Sequence, residues 1–282
     1  MNVIVFNAYL IAAAGGDVGT DIDILQEDGF VLYQEDGSSL ITQERDGTDP
    51  SFADVVLLLH MDGANGGTSF PDSSNSAHTA TAVGNANTST SVKKFGTASY
   101  KGDGSGDYLS FSDSADFDIG LPVGYSNEPF TVEFFANLNS TGGTQMFFGK
   151  GGGSASWNSS TGFQYIFFIQ SSTLYFQWWT SGTSPNTISA SISSLGLSTG
   201  TWYHFAIAYD GTTTEAYFNG SRFGSTSTAD YNEPSSATDF RVGGATPFYY
   251  LDGYIDEFRI TKGSSRYTGT TLTVPTAAFP NS

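Results

Sequence analysis

The chain has no cysteine, few charged residues and no long apolar run. Without cysteine there is no disulfide framework and no thiolate zinc centre. That suits a chain assembled in a reducing cytosol, or one that needs no staples. Charged residues are 13% of the sequence, against roughly 25% in ordinary globular domains. Ser, Thr, Asn and Gly must therefore cover most of the surface. Bases are scarcest: 10 against 28 acids, for a net charge of −18. A phosphate backbone is held by a basic stripe that displaces counterions, so neither nucleic acid nor anionic lipid is an expected partner. No segment approaches the ~18 apolar residues of a membrane span, and membrane insertion is not expected. The apolar start, Met1 to Ala14, lacks a basic leader and is interrupted by Asn2 and Asn7, so it is not read as a signal peptide. No window joins a 3.6-residue apolar period to helix caps.

What is abundant is strand and turn chemistry. The sequence has 23 Phe, 15 Tyr and 34 Gly, which favours pleated, half-buried strands joined by tight turns. One hairpin is directly legible: Tyr203 to Tyr209, a turn at Asp210-Gly211, then Glu215 to Phe218 before Asn219-Gly220. Alternation puts Tyr203, Phe205, Ile207 and Tyr209 on one face and His204, Ala206 and Ala208 on the other. Asp103-Gly104-Ser105-Gly106-Asp107-Tyr108 also reads as a hairpin turn. Strands this numerous predict a two-sheet antiparallel sandwich or jelly roll.

An ordered set of phrases sharpens that expectation. Val55-Val56-Leu57-Leu58-Leu59-His60-Met61-Asp62-Gly63 is followed by Phe95-Gly96-Thr97-Ala98-Ser99 and by Asp103 to Leu109. Phe130-Thr131-Val132-Glu133-Phe134-Phe135, Thr201 to Ala206, Ala216 to Gly220 and Gly253 to Ile260 complete the series. Together they resemble the laminin-G-like branch of the concanavalin A-like lectin/glucanase superfamily, over roughly residues 53–280. The resemblance implies an all-β sandwich of two sheets with six or seven strands each, one of them concave, over residues 51–282.

Residues 1–50 differ. Gln26-Glu27-Asp28-Gly29, Gln34-Glu35-Asp36-Gly37 and Gln43-Glu44-Arg45-Asp46-Gly47 punctuate short apolar stretches. Asp-Gly turns between strand-length segments predict a β-ribbon; a flexible acidic linker is the alternative. Such a ribbon is marginal alone, and open strand edges recruit other strands. Phe6, Tyr9, Leu10, Ile24, Leu25, Leu32, Tyr33, Leu40 and Ile41 are therefore the candidate attachment and oligomerisation residues. The repeats resemble those that stand before laminin-G-like domains in phage virion proteins.

The residues bear on three kinds of site. Glycoside hydrolysis needs two carboxylates roughly 5–10 Å apart. The superfamily's glucanases place two Glu on one face of one strand. Here Glu133 has no second acid two or four residues on, and the adjacent Asp256 and Glu257 are expected on opposite faces. No catalytic residue is assigned. His60 and His204 are read as bonded to neighbouring backbone, and His78 as lying in a polar loop. The family resemblance implies one structural Ca²⁺, held by Asp62 and Asp256, with Asp72, Asn65 and the carbonyls near Gly66-Gly67 completing an oxygen shell; turn capping is the alternative. Alternation places Asp256 with Tyr254, Phe258 and Ile260. Carbohydrate recognition needs aromatic platforms, and the candidates are Trp157, Trp179, Phe248, Tyr249 and Tyr250. Leu174, Phe176 and Trp178 alternate with Tyr175, Gln177 and Trp179, so one of these faces must be core.

The expected role is a non-enzymatic decoration or fibre protein on a phage virion surface. Residues 1–50 would join it to other virion proteins, preferably as a trimer, and the sandwich would face host glycans. A secreted or cell-surface carbohydrate-binding module and a glycosidase of the same fold are the alternatives.

Overall fold

Phe130–Leu138 is buried at every position, which an antiparallel strand achieves only when both its faces are covered. This strand sits near the middle of one of two stacked sheets, and its two coverings differ. The computed structural model describes residues 48–120, 122–123, 126–151, 163–180, 184–231, 237–244 and 249–282. The nine candidate attachment residues, Phe6 to Ile41, lie outside them, as do Trp157 and Phe248.

The chain enters with β1 (Val55–Leu59), β2 (Thr81–Val83), β3 (Asn87–Ser89), β4 (Ser99–Asp103) and β5 (Tyr108–Phe111). A short pair, β6 (Pro122–Val123) and β7 (Ser126–Asn127), precedes β8 (Phe130–Leu138), β9 (Thr144–Gly151), β10 (Phe163–Gln170) and β11 (Thr173–Trp178). Then come β12 (Asn186–Ser191), β13 (Trp202–Tyr209), β14 (Thr214–Phe218), β15 (Ser221–Ser227), β16 (Phe240–Val242) and β17 (Asp252–Lys262). Helix among the described residues amounts to one turn, Ile192–Leu195, and two 3₁₀ turns. Ser191 caps that turn and Gly196 ends it in the left-handed conformation.

Among the described residues one sheet has eight strands, ordered β15-β14-β13-β8-β17-β4-β3 with β1 also on β17; the other has seven, ordered β12-β11-β10-β9-β16-β5-β2. The larger sheet thus exceeds the expected six or seven strands. Both belong to one contact unit, Thr48–Ser282. The Asp103–Tyr108 phrase is not a hairpin turn: β4 and β5 belong to different sheets, so it is a corner between layers. Asp107 holds the corner, accepting from the Asp103 and Asn85 amides.

The inner faces meet in an aromatic core. Phe134 stacks on Phe205 at 5.3 Å and on Phe258 at 5.6 Å, and Phe148 meets Phe258 edge-on at 5.7 Å. The β13–β14 hairpin forms as its alternation predicts. Phe205, Ile207 and Tyr209 enter this core, while Ala206 and Ala208 pack on the opposite side with Tyr217.

Candidate functional site

The outer side of the eight-stranded sheet is sealed. Residues 263–282, which follow β17, lay Tyr267 and Leu272 on Ala206 and Ala208, and Val274 and Phe279 on Val55, Leu58 and Phe135. Under this strap Glu133 is fully buried. Its Oε1 accepts from Arg259 Nε (3.0 Å) and Nη2 (2.8 Å); its Oε2 accepts from Tyr267 Oη (2.7 Å) and lies 3.2 Å from His204 Nε2. Asp49 accepts from Arg259 Nη1 at 2.7 Å and from both terminal nitrogens of Arg266. Burial works against the charge on Glu133, but the Arg259 guanidinium and His204 outweigh it and hold the carboxyl well below its usual range. His204 therefore bonds a carboxylate, not backbone as expected. A carboxylate so enclosed serves folding rather than proton transfer to a substrate.

A β-bulge corrects the reading of the two adjacent acids. Asp256 pairs with Phe135 and Arg259 with Glu133, so β17 carries one extra residue between them. Glu257 takes up that residue at φ +50°. The bulge resets the phase. Ile255, Phe258 and Ile260 all join the main core, so Asp256 does not share their face. Both acids leave the core side instead of dividing between faces. Glu257 bonds His60 Nδ1 (2.9 Å) and the Phe279 amide (2.9 Å), and Asn281 meets His60 Nε2 at 2.7 Å. His60 thus pairs with side chains, not backbone. Burial lowers its pKa, but Glu257 and Asn281 more than offset this and raise it to about 9. His78 meets Asp116 at 2.9 Å.

The seven-stranded sheet finishes its outer side differently. Leu174, Phe176 and Trp178 enter the main core. On the other side Met146, Phe163, Ile166, Phe168 and Trp179 form a second buried cluster, with Tyr175 and Tyr249 packed half-buried against it. Tyr175 stacks on Phe168 at 5.1 Å. Trp179 is only 3% exposed, so it is no open platform, and its indole Nε1 is buried without an acceptor. Tyr250 is half-buried and stacks on Tyr108 at 6.4 Å. Nearby, Arg241 carries its guanidinium 5.5 Å from the Tyr108 ring centre. No sequence motif marks Arg241; its one signal is its place between core residues Phe240 and Val242 on a strand.

Residues 103–265, more than half the chain, match the family model of laminin-G-like domains in the concanavalin A-like lectin/glucanases superfamily. The chain belongs to this family. No curated protein matches it by sequence. Solved structures similar in fold include the botulinum neurotoxin serotype D binding domain, at 14% identity and a TM-score of 0.55 over 76% of this chain and 49% of that one. The binding domain of botulinum neurotoxin DC in complex with SialylT aligns at 15% identity and 0.55, over 77% and 50%. The same domain in complex with rat synaptotagmin II gives 15% and 0.54, over 77% and 49%. This laminin-G-like chain spans about half the length of those domains. At such identity the likeness is one of fold.

The laminin-G-like family implies calcium ligands at Asp62 and Asp256. Asp62 and Asp256 grip opposite ends of one turn. Asp256 Oδ2 accepts from the amides of Lys94 (2.6 Å) and Phe95 (3.1 Å). Asp62 Oδ1 accepts from the Thr97 amide, from Thr97 Oγ1 (2.8 Å) and from the Ala98 amide (3.2 Å). Gly96, at φ +55°, has no room for a Cβ, which would fall 2.3 Å from Asp62 Oδ1. Burial, with the charges of Glu257 and Asp62 adding to it, pushes Asp256 up to about 7, and its Oδ1 is buried without a partner. That orphan oxygen beside a second carboxylate suits a cation.

The rest of the expected shell is engaged elsewhere. Asp72 accepts from the Leu58, Ser74 and His78 amides and from Ser74 Oγ. Asn65 accepts from the Thr90 amide, and the Gly67 carbonyl from Thr88. Among the described residues no three His, Cys, Asp or Glu side chains are grouped to hold a metal. A cation here would rest on Asp62 and Asp256, completed by oxygens of other kinds.

Proposed function

We propose that this protein is a non-enzymatic, glycan-binding surface protein of a phage virion, with the outer face of its seven-stranded sheet as the ligand face. The observation that carries the glycan reading is the half-buried Tyr175 and Tyr249 rim on the second aromatic cluster, with the Trp179 indole N–H unpaired beneath it. Sugars are held by aromatic faces that cover their apolar C–H surfaces and by donors that reach their hydroxyls. Capture of SialylT by a binding domain of similar fold is a precedent for ligand binding, not a map of the site. The non-enzymatic reading is supported by Glu133, whose oxygens are bound to Arg259, His204 and Tyr267 under the strap.

The virion reading rests on the sequence: an acidic, cysteine-free chain with an Asp-Gly-punctuated region before a laminin-G-like sandwich. In it residues 1–50 attach the protein to other virion proteins and assemble it, with a trimer preferred. Ca²⁺ on Asp62 and Asp256 would neutralise the two acids and fix the Lys94–Ala98 turn.

A glycan array probed with the full chain tests the ligand face. At least one class of surface glycan should be captured, and Tyr249→Ala or Tyr175→Ala should weaken capture at least about fivefold, the equivalent of about 1 kcal/mol. No capture, together with turnover of a β-glucan that vanishes in Glu133→Gln, reverses the assignment to a hydrolase. Deleting residues 1–50 tests attachment: a truncated chain that still enters particles and keeps the full-length oligomeric state overturns that part.

A further inference from the structure

The described residues include four arginines. Arg259 and Arg266 hold Asp49, Arg259 also holds Glu133, and Arg222 holds Glu215 at 2.6 Å. Arg241 holds no carboxylate, although acids outnumber bases in this chain almost three to one. Its Nε and Nη1 are both buried and have no hydrogen-bond partner. A guanidinium presents five donors in one plane, and buried ones are ordinarily paired because unmet N–H groups lose their water without replacement.

The surroundings of Arg241 form a seat rather than an accident of crowding. Strand register sets it between Ser110 on β5 and Gly149 on β9. These are two of the smallest side chains available, so neither strand neighbour fills the space beside the guanidinium, whose Nε and Nη1 are enclosed but unpaired. Gly149 is required there, since a Cβ would come within 2.8 Å of the Tyr165 carbonyl oxygen. One side is walled by Tyr108, whose ring lies 5.5 Å from the guanidinium carbon, and Tyr250 stacks on Tyr108. The nearest acid in sequence on the same strand face, Asp239, accepts from Ser110 Oγ at 2.8 Å instead.

We infer that Arg241, walled by Tyr108 and Tyr250, is a subsite for the carboxylate of an acidic sugar residue. An arginine fork matches the two oxygens of a carboxylate, and an adjacent aromatic wall accepts the sugar ring. A neutral hexose offers no anion and leaves the Arg241 donors as they are. This subsite deepens the proposed glycan-binding role and rests on it: Tyr250 joins the seat to Tyr249 and the second aromatic cluster.

The test is a titration of ¹⁵N-labelled full-length protein followed at two side-chain resonances, Arg241 Nε–H and Trp179 Nε1–H. Arg241 Nε–H is assigned by its loss in Arg241→Lys, which keeps the charge and removes the fork. The probes are glucuronate, N-acetylneuraminate and glucose. The expected result is a saturable shift of Arg241 Nε–H with at least one of the two acidic sugars and none with glucose. Arg241→Lys should weaken the acidic sugar at least tenfold by the Trp179 resonance, and raised salt should weaken it in the wild type. If glucose moves both resonances as strongly as the acids do, or if sugars move Trp179 alone, the carboxylate subsite is wrong while the glycan face stands. If no sugar moves either resonance, both the subsite and the reading beneath it fall. A melting temperature of Arg241→Lys within a few degrees of wild type separates lost binding from lost fold.

Discussion

On the outer side of the eight-stranded sheet, Glu133, Asp49 and Glu215 meet Arg259, Arg266 and Arg222 under a C-terminal strap. On the outer side of the seven-stranded sheet, among the described residues, Arg241 meets no carboxylate and Trp179 Nε1 meets no acceptor. The same chain therefore treats buried polar groups in two ways. Where it closes a face with its own segment, Glu133, Asp49 and Glu215 each receive an arginine, although Asp256 Oδ1 and His204 Nδ1 stay unpaired there. Where donors remain open beside half-buried aromatics, the missing partner is best sought in a ligand. Satisfied buried networks rigidify a fold, and each unsatisfied group calls for its own explanation, of which a water, an ion or a ligand is one.

The hardest test of the sealed face is Glu133→Gln. Removing one partner of a buried charge network leaves Arg259 and His204 undercompensated, and should destabilise the protein by about 4 kcal/mol in urea unfolding. The pH dependence has a definite sign. The folded Glu133 carboxyl is held below its unfolded value near 4.5. Its stabilisation is therefore complete above that value and fades as pH falls through the folded pKa. The gap between wild type and Glu133→Gln should accordingly shrink below about pH 4. A gap that is small at neutral pH, or widens in acid, would break the contrast between the two faces.

Phe279→Ala probes the strap by packing alone. Phe279 lies 4.0 Å under the Arg259 guanidinium and packs on Phe135, so its loss should remove about 3 kcal/mol. Limited proteolysis should then cut earlier after residue 262 than in wild type; unchanged cleavage and stability would show that the strap is not what seals the sheet.

Removing divalent cations sharpens the intermediate case, Asp62 and Asp256. Protein loaded with Ca²⁺ at a hundredfold excess over its Kd should lose about 2.7 kcal/mol on chelation, seen as a fall in Tm. Asp256→Asn should abolish that dependence. A Tm indifferent to chelator in demonstrably loaded protein would leave the two acids as turn-holders only.

The smallest effect belongs to the proposed ligand face. Trp179→Phe keeps a smaller aromatic ring in the second cluster and deletes Nε1–H. Its stability should fall by about 1–2 kcal/mol, less than a full truncation to Ala, while glycan affinity should fall about fivefold for one lost hydrogen bond of about 1 kcal/mol. Calorimetry on the variant that shows undiminished affinity would remove Trp179 from the ligand face.

Much of the sandwich was legible because strand alternation is a local property. Tyr203 to Tyr209 divides into core and outer residues as its spacing predicts, and Leu174, Phe176 and Trp178 fill the core as one face of that strand had to. The site was less legible. Trp179 reads as a platform in sequence yet is covered. Asp256 and Glu257 violate alternation because a bulge adds one residue opposite β8. Charges embedded in apolar phrases, Glu133 among Phe and Val and Arg259 between Phe258 and Ile260, signalled that partners must exist, since isolated buried charge is too costly. They did not say which partners, because Asp49 lies 210 positions from Arg259.

By itself the sequence determined the all-β class, the family and the absence of a paired-carboxylate motif, since these depend on residue spacing along one strand or on the order of phrases. Only the tertiary structure decided that Glu133 is locked beneath the C-terminal strap, that Asp62 and Asp256 share a turn, and that Arg241 is left without a partner. Each of those facts joins segments far apart in the chain, and what a buried charge meets there is settled by how sheets and straps pack, not by its neighbours in sequence.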